Sequence, residues 1–186
     1  MERLDPRVQR TRQLIVDAFF NLSKDKNIDG VSVKDITVTA NINRSTFYSH
    51  FGDKQDLISY ISKEILIKGQ FKDIKNQDSI DEETLILAVQ AISNLRTRIF
   101  RLLGDNLNIF KTYCEPDIKQ ELTDALYCLL VKKHGDKPSC FIEATFLSWG
   151  IYGVADVCFV SPASCNCNVP ISSLISNILD NKFISL

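Results

Sequence analysis

The sequence predicts an all-α protein made of two helical units. Apolar residues recur at helical spacing along nearly the whole chain while strand-type alternation is scarce, and cap and breaker residues fall where the apolar stripes begin and end. With 186 residues, 45% of them hydrophobic, the chain can bury a core in each unit.

In the first helix Leu14, Ile15, Ala18, Phe19 and Leu22 mark one stripe; Asp5 and Pro6 suit its cap and opening, and it should end near Lys26. Asn27 stands where a left-handed residue is wanted. Ser32 and Asp35 have capping-box spacing ahead of a short second helix, with Val33 and Ile36 on its apolar side and an end around Ala40. Asn41 suits another left-handed turn, and Asn43 a cap for a third helix that runs to about His50 and is broken by Gly52. Asp53 caps a longer fourth helix, 53–70, with Leu57, Ile58, Ile61, Ile65 and Leu66 as its apolar positions. The polar stretch KDIKNQDSIDEE, 72–83, reads as the junction to the second unit. Beyond it helices are expected at about 82–103, 117–133, 138–160 and 170–182, punctuated at 104–106, 114–116 and 135–138.

Composition excludes several classes. A net charge of −1 argues against a general affinity for polyanions, but Arg3, Arg7, Arg10 and Arg12 crowd the start against only Glu2 and Asp5, and Lys34, Arg44 and Lys54 follow. MERLDPRVQRTR has no apolar core behind its charges, so no signal peptide is expected and the chain is placed in the cytoplasm. The most apolar run, 146–160, is shorter than the ~20 residues a bilayer requires and contains Asp156; no membrane partner is expected. Six cysteines in a reducing compartment read as packed thiols. Cys165 and Cys167 form a C-x-C pair, but His50 and His134 lie far off, so no metal site is assigned and no cofactor is implied. No catalytic constellation presents itself, and the chain is not read as an enzyme.

Residues 43–51 carry the most specific chemistry. On a helical wheel Phe47 and Phe51 fall one turn apart and define the inner side, Ser45 and Ser49 point outward, and Thr46 and Tyr48 flank them. A short capped helix, a tight turn and a two-turn helix are the plan of a helix-turn-helix, whose second helix enters the major groove of DNA. Arg44 can fork onto the O6 and N7 acceptors of guanine; Ser45 and Thr46 can donate or accept, and the Thr methyl can meet a thymine methyl. Tyr48, His50 and Lys54 suit phosphate oxygens, as do the backbone amides behind Ser32, while Lys34 suits a base edge or the backbone. From the residues alone, a solvated connector helix with two core Phe side chains is an equal reading.

Residues 8–58 resemble the DNA-binding domain of the TetR family of transcriptional regulators. The likeness rests on Ile15, Ala18, Phe19 and Leu22, the SVKDI of 32–36, Ala40, and the TFYSHFGDKQDL run of 46–57 with its T-[aromatic or Leu]-Y-x-H-F-x-x-K spacing. The resemblance implies that Lys34, Arg44 and Ser45 address bases, whereas Ser32, Thr46, Tyr48, His50 and Lys54 clamp the phosphate backbone. Asn43 and Ser49 complete the candidate interface. Asn27 and Asn41 replace the glycines usual in the family, and Asn43 a frequent Ser or Thr. The implied domains are a helix-turn-helix domain at 1–58 and a helical regulatory and dimerisation domain at 59–186.

For the second domain the resemblance implies dimerisation through the last two long helices and a small-molecule pocket. Ile142, Phe146, Trp149, Gly150, Gly153 and Val157 trace one stripe, and Val169, Ile171, Leu174, Ile175, Ile178 and Leu179 another. The candidate interface is Trp149, Gly150, Gly153, Val157, Leu174, Ile175 and Ile178, with ordinary intrachain core as the competing reading. For a small apolar or aromatic effector the candidate lining is Phe100, Phe110, Tyr113, Phe146, Trp149 and Tyr152, although aromatics at helical spacing are more often plain core. The expected function is a homodimeric regulator on a palindromic operator in double-stranded DNA, a repressor released by a small molecule. The alternative is an activator, or a regulator controlled by a partner protein or by oxidation among Cys114, Cys128, Cys140 and Cys158.

Overall fold

The computed structural model describes residues 5–160, and among these every regular element is a helix. Helix α1 (Pro6–Asp25) opens as expected: the Asp5 carboxylate accepts from the Arg7 N–H at 2.8 Å and Pro6 holds the first helical position. Its buried side is Ile15, Val16, Ala18, Phe19 and Phe20, while Leu14 is exposed. A 3-10 turn (Ile28–Gly30) follows. Asn27 is not left-handed: its φ is −58°, and its side chain accepts from the Asp29 N–H at 2.9 Å, capping the turn from an ordinary backbone conformation.

Helix α2 (Val33–Thr39) carries the full capping box, the Ser32 hydroxyl accepting from the Asp35 N–H (3.1 Å) and the Asp35 carboxylate from the Ser32 N–H (3.0 Å). Asn41 takes the left-handed turn, at φ 52°. Helix α3 (Arg44–Tyr48) is shorter than the spacing suggested, and Asn43 holds its cap position without a side-chain cap hydrogen bond. Helix α4 (Lys54–Tyr60) is capped by Asp53, whose carboxylate accepts from the Asp56 N–H at 2.8 Å. It continues not as α-helix to residue 70 but as a π-helix (Ile61–Ile67), and Gly69 at φ 80° ends it.

The polar junction holds a short helix, α5 (Lys72–Lys75), anchored by buried Phe71 and Ile74. Then come α6 (Glu82–Leu103), a 3-10 turn (Gly104–Asn106), α7 (Leu107–His134) and α8 (Pro138–Val160). Gly104 (φ 52°) and Gly135 (φ 76°) adopt backbone conformations that favour glycine at the two expected breaks. The third expected break, at 114–116, is absent: α7 runs through Pro116. Proline removes one helical hydrogen bond, and Cys114 and Ile118, both buried, pack the helix on either side of it.

Two compact units result. One joins the described residues up to Leu66 with Arg98–Glu115; the other joins Ile67–Thr97 with the described residues from Pro116 onward. Compactness therefore does not follow a single cut at residue 58, because Arg98–Glu115 packs with the N-terminal helices. In the first unit α1 packs on α2 and on the Gly104–Asn106 turn, and α2 packs on α3. The apolar core of the second unit holds a few buried polar groups: Arg96, 5% exposed, pairs with Asp156 and lies over the Tyr152 ring at 5.1 Å, and the Thr123 and Ser148 hydroxyls share a hydrogen bond of 2.7 Å.

Helix α8 buries Cys140, Ala144, Ser148, Ile151, Tyr152 and Ala155 and turns a second apolar side outward. That side bears Ile142 and Phe146, each 70% exposed, with Phe141, Trp149 (59%) and Val157. Gly150 and Gly153 lie on it with open space where a Cβ would stand. The expected helix at 170–182, with Leu174, Ile175 and Ile178, lies outside the described residues. Among the described residues no helix is long and apolar enough to cross a membrane.

Candidate nucleic-acid interface

Beneath α3, Phe47 (0% exposed) and Phe51 are buried with their rings 5.9 Å apart, and Tyr48 meets Phe47 edge to face at 5.5 Å. A five-residue helix cannot persist unaided, so this buried aromatic pair determines which side of α3 meets solvent. The outward side carries Arg44, Ser45, Tyr48 and Ser49, all exposed, with Asn43 ahead of them and Thr46 and His50 half-buried at the margins. The Arg44 guanidinium stands 5.9 Å from the centre of the Tyr48 ring. Ser49 donates to the Thr46 carbonyl at 2.7 Å, which occupies its hydroxyl proton and leaves its oxygen as an acceptor.

Lys34 is exposed on α2, and one turn further on stands Val38, 72% exposed. Thr37, Val38, Asn41, Ile42, Asn43 and Thr46 line an open surface groove along the turn between α2 and α3. Val38 and Ile42 are absent from the sequence-derived set. Helical spacing from Lys34 is the one signal that marks Val38.

Two expected contacts are engaged within the unit. The Lys54 ammonium donates to the carbonyls of Ile28 (3.1 Å) and Asp29 (3.0 Å), so two of its three protons already serve the turn before α2. The Ser32 hydroxyl lies 2.8 Å from the Asp35 carboxylate, and what it leaves for a phosphate is the N-terminal amide row of α2. Arg12 is not a loose cation either: its guanidinium lies 5.5 Å from the Phe51 ring centre and 5.0 Å from that of Tyr60. Burial, and then the Arg12 charge, hold the His50 imidazole below its ordinary pKa, so at neutral pH it is uncharged. The hydrogen bonds from Ser32 hold the Asp35 carboxyl below the usual range.

The residues of the candidate effector lining differ in exposure. Phe146 and Trp149 stand exposed on α8, and Phe100 is exposed on α6. Phe110 and Tyr152 are buried core.

A capped α2, a left-handed turn and a short α3 displaying Arg44, Ser45 and Tyr48 define a helix-turn-helix DNA-binding domain. Residues 15–61 match the family model described as bacterial regulatory proteins, tetR family. Over that stretch the chain is similar to the DNA-binding domain of TetR-family transcriptional regulators. It is 32% identical over 101 residues to the HTH-type transcriptional regulator YxbF of Bacillus subtilis (strain 168), covering 50% of this chain and 27% of that protein. It is 33% identical over 69 residues to DhaS, the HTH-type dhaKLM operon transcriptional activator of Lactococcus lactis subsp. lactis (strain IL1403), covering 37% of this chain and 34% of that protein. The matched stretch thus spans about a third or less of either relative. Among solved structures, NalD, described as the secondary repressor of the MexAB-OprM multidrug efflux pump in Pseudomonas aeruginosa, shares the fold. The TM-score is 0.59 at 17% identity, over 93% of this chain and 96% of that one.

Proposed function

We propose that the protein is a sequence-specific, homodimeric regulator that binds a palindromic operator with the outward side of α3. The observation that carries this is the exposed set Lys34 on α2 and Arg44, Ser45 and Tyr48 on α3, with the inner side of α2 held by buried Ile36 and that of α3 by buried Phe47 and Phe51. Arg44 and Ser45 read base edges; Tyr48, Thr46 and the amides of α2 grip phosphates. One five-residue helix touches too few base pairs to discriminate, so the outward stripe of α8, Ile142, Phe146, Trp149, Gly150, Gly153 and Val157, pairs with its twin. Two recognition helices about 34–36 Å apart then read both half-sites.

As a repressor, the dimer occupies DNA that transcription requires. A small molecule releases it only by binding the DNA-incompetent form more tightly, since equal affinity for both forms shifts nothing. An activator remains the second reading, favoured by the likeness to DhaS, an activator by name. Selection of bound duplexes from a random pool tests the core of the proposal. The expected product is a palindrome with half-sites one helical turn apart or a multiple of it; a pool that returns no enriched sequence would refute it. Transcription in the presence and absence of the protein from the enriched site then separates repressor from activator.

A further inference from the structure

Asn106 lies in the 3-10 turn between α6 and α7 and is 8% exposed. Its side-chain amide donates to the carbonyls of Ser23 (2.6 Å) and Lys26 (3.0 Å), and its Oδ1 accepts from the Ile28 N–H (3.0 Å). Carbonyls at the end of a helix lack intrahelical partners, and the Ser23 carbonyl is one of these at the end of α1. The Ile28 N–H opens the turn that feeds α2. One side chain, 78 to 83 residues away in sequence, thus closes the whole α1–α2 junction. Ser23 and Ile28 are fully buried, so loss of the amide would leave buried polar groups unmet. Two further side chains converge there: Tyr113 of α7 donates to the Asp29 carboxylate (3.2 Å), and Lys54 donates to the carbonyls of Ile28 and Asp29.

We propose that Asn106 is a positioning residue for DNA recognition, through which the Arg98–Glu115 segment holds the α1–α2 junction, and with it the helix-turn-helix, in the DNA-competent conformation. The proposal rests on the operator-binding role above. Helices of seven and five residues do not set their own direction, so α2 and α3 inherit it from the turn that Asn106 holds. Both α6 and α7 continue past this segment into residues of the other unit, so displacement along either helix reaches Asn106 through the chain itself. Because coupling is reciprocal, DNA bound at α3 must in turn steady residues 104–113, although none of them belongs to the proposed DNA face.

The test uses the full chain and a duplex enriched from a random pool, with affinity read by fluorescence anisotropy and backbone order by amide exchange. With the wild-type protein, saturating duplex is expected to slow exchange at 28–40 and also at 104–113. Asn106→Ala should bind tenfold or more weakly, keep the wild-type base preference, and lose the protection at 104–113. Asn106→Asp retains the acceptor for the Ile28 N–H but sets a carboxylate against two carbonyls. Burial and that repulsion raise its pKa, so its affinity relative to wild type should recover as pH falls from 7.5 to 5.5, when a protonated carboxyl can donate again. Asn106→Ala should show no such recovery. Should Asn106→Ala fail to fold, Tyr113→Phe carries the same comparison by removing only a hydroxyl, with an expected loss of two- to fivefold. Asn106→Ala binding within twofold of wild type, with wild-type protection at 104–113, overturns the positioning role and leaves operator binding intact. A wild-type protein that enriches no duplex overturns both.

Discussion

The outward side chains of α3 divide by the job their chemistry permits. Arg44, exposed at the helix start, offers a planar fork of donors, so Arg44→Ala should relax the preference at one base pair in each half-site, costing ~1–3 kcal/mol there, as measured by binding to single-substituted duplexes. Tyr48→Ala should instead weaken all duplexes about equally. Lys54 also serves the fold: with its ammonium on the carbonyls of Ile28 and Asp29, Lys54→Met should lower stability by about 1.5–3 kcal/mol in urea titrations, besides weakening DNA binding. His50 supplies a pH signature. Its pKa is depressed in the fold, so the unfolded chain takes up the proton first, and stability is complete above about pH 6.5 and falls as pH drops toward the folded value. Melting curves at pH 8 and pH 5.5 should diverge for wild type and converge for His50→Gln.

At the scale of the element, α3 is held from below and α2 from its end. Phe47→Ala removes the ring beneath the recognition side and should cost about 3–5 kcal/mol, enough to unfold the domain at ordinary temperatures. Ser32→Ala removes half of the capping box and should cost ~1 kcal/mol while leaving every α3 side chain in place. A chemical denaturation series on the two variants separates them: a large shift for the first and a small one for the second. The capping box and the Phe47–Phe51 spacing are local features, which is why both α2 and the buried side of α3 follow from the sequence. The course of α7 through Pro116 does not, because the packing of Cys114 and Ile118 offsets a local penalty that sequence reasoning counts in full.

At the scale of the whole molecule, the proposed twofold assembly turns on α8. An apolar stripe with side chains 59–70% exposed at Ile142, Phe146, Trp149 and Val157 is costly to leave in water, and its two glycines permit close approach of another helix. Ile142→Asp should therefore give lone subunits by sedimentation and reduce operator affinity to that of a single half-site. A dimer unchanged by this substitution would place the twofold contact elsewhere. The same stripe reads in the sequence as either core or interface, and apolar periodicity alone cannot separate the two, since both require one water-shy side.

Signals carried within a few residues of chain determine much here by themselves: the all-helical class, the caps at Asp5, Ser32 and Asp53, the left-handed turn at Asn41, and the inward pairing of Phe47 and Phe51 beneath a polar recognition side. What only the tertiary structure decided are partners distant along the chain and exposure: Lys54 on the carbonyls of residues 28 and 29, Asn106 on the end of α1, and the outward turn of Phe146 and Trp149 on α8. Helical period and capping act over one or two turns, whereas the burial of a side chain and the destination of its hydrogen bonds depend on which distant elements fold against it.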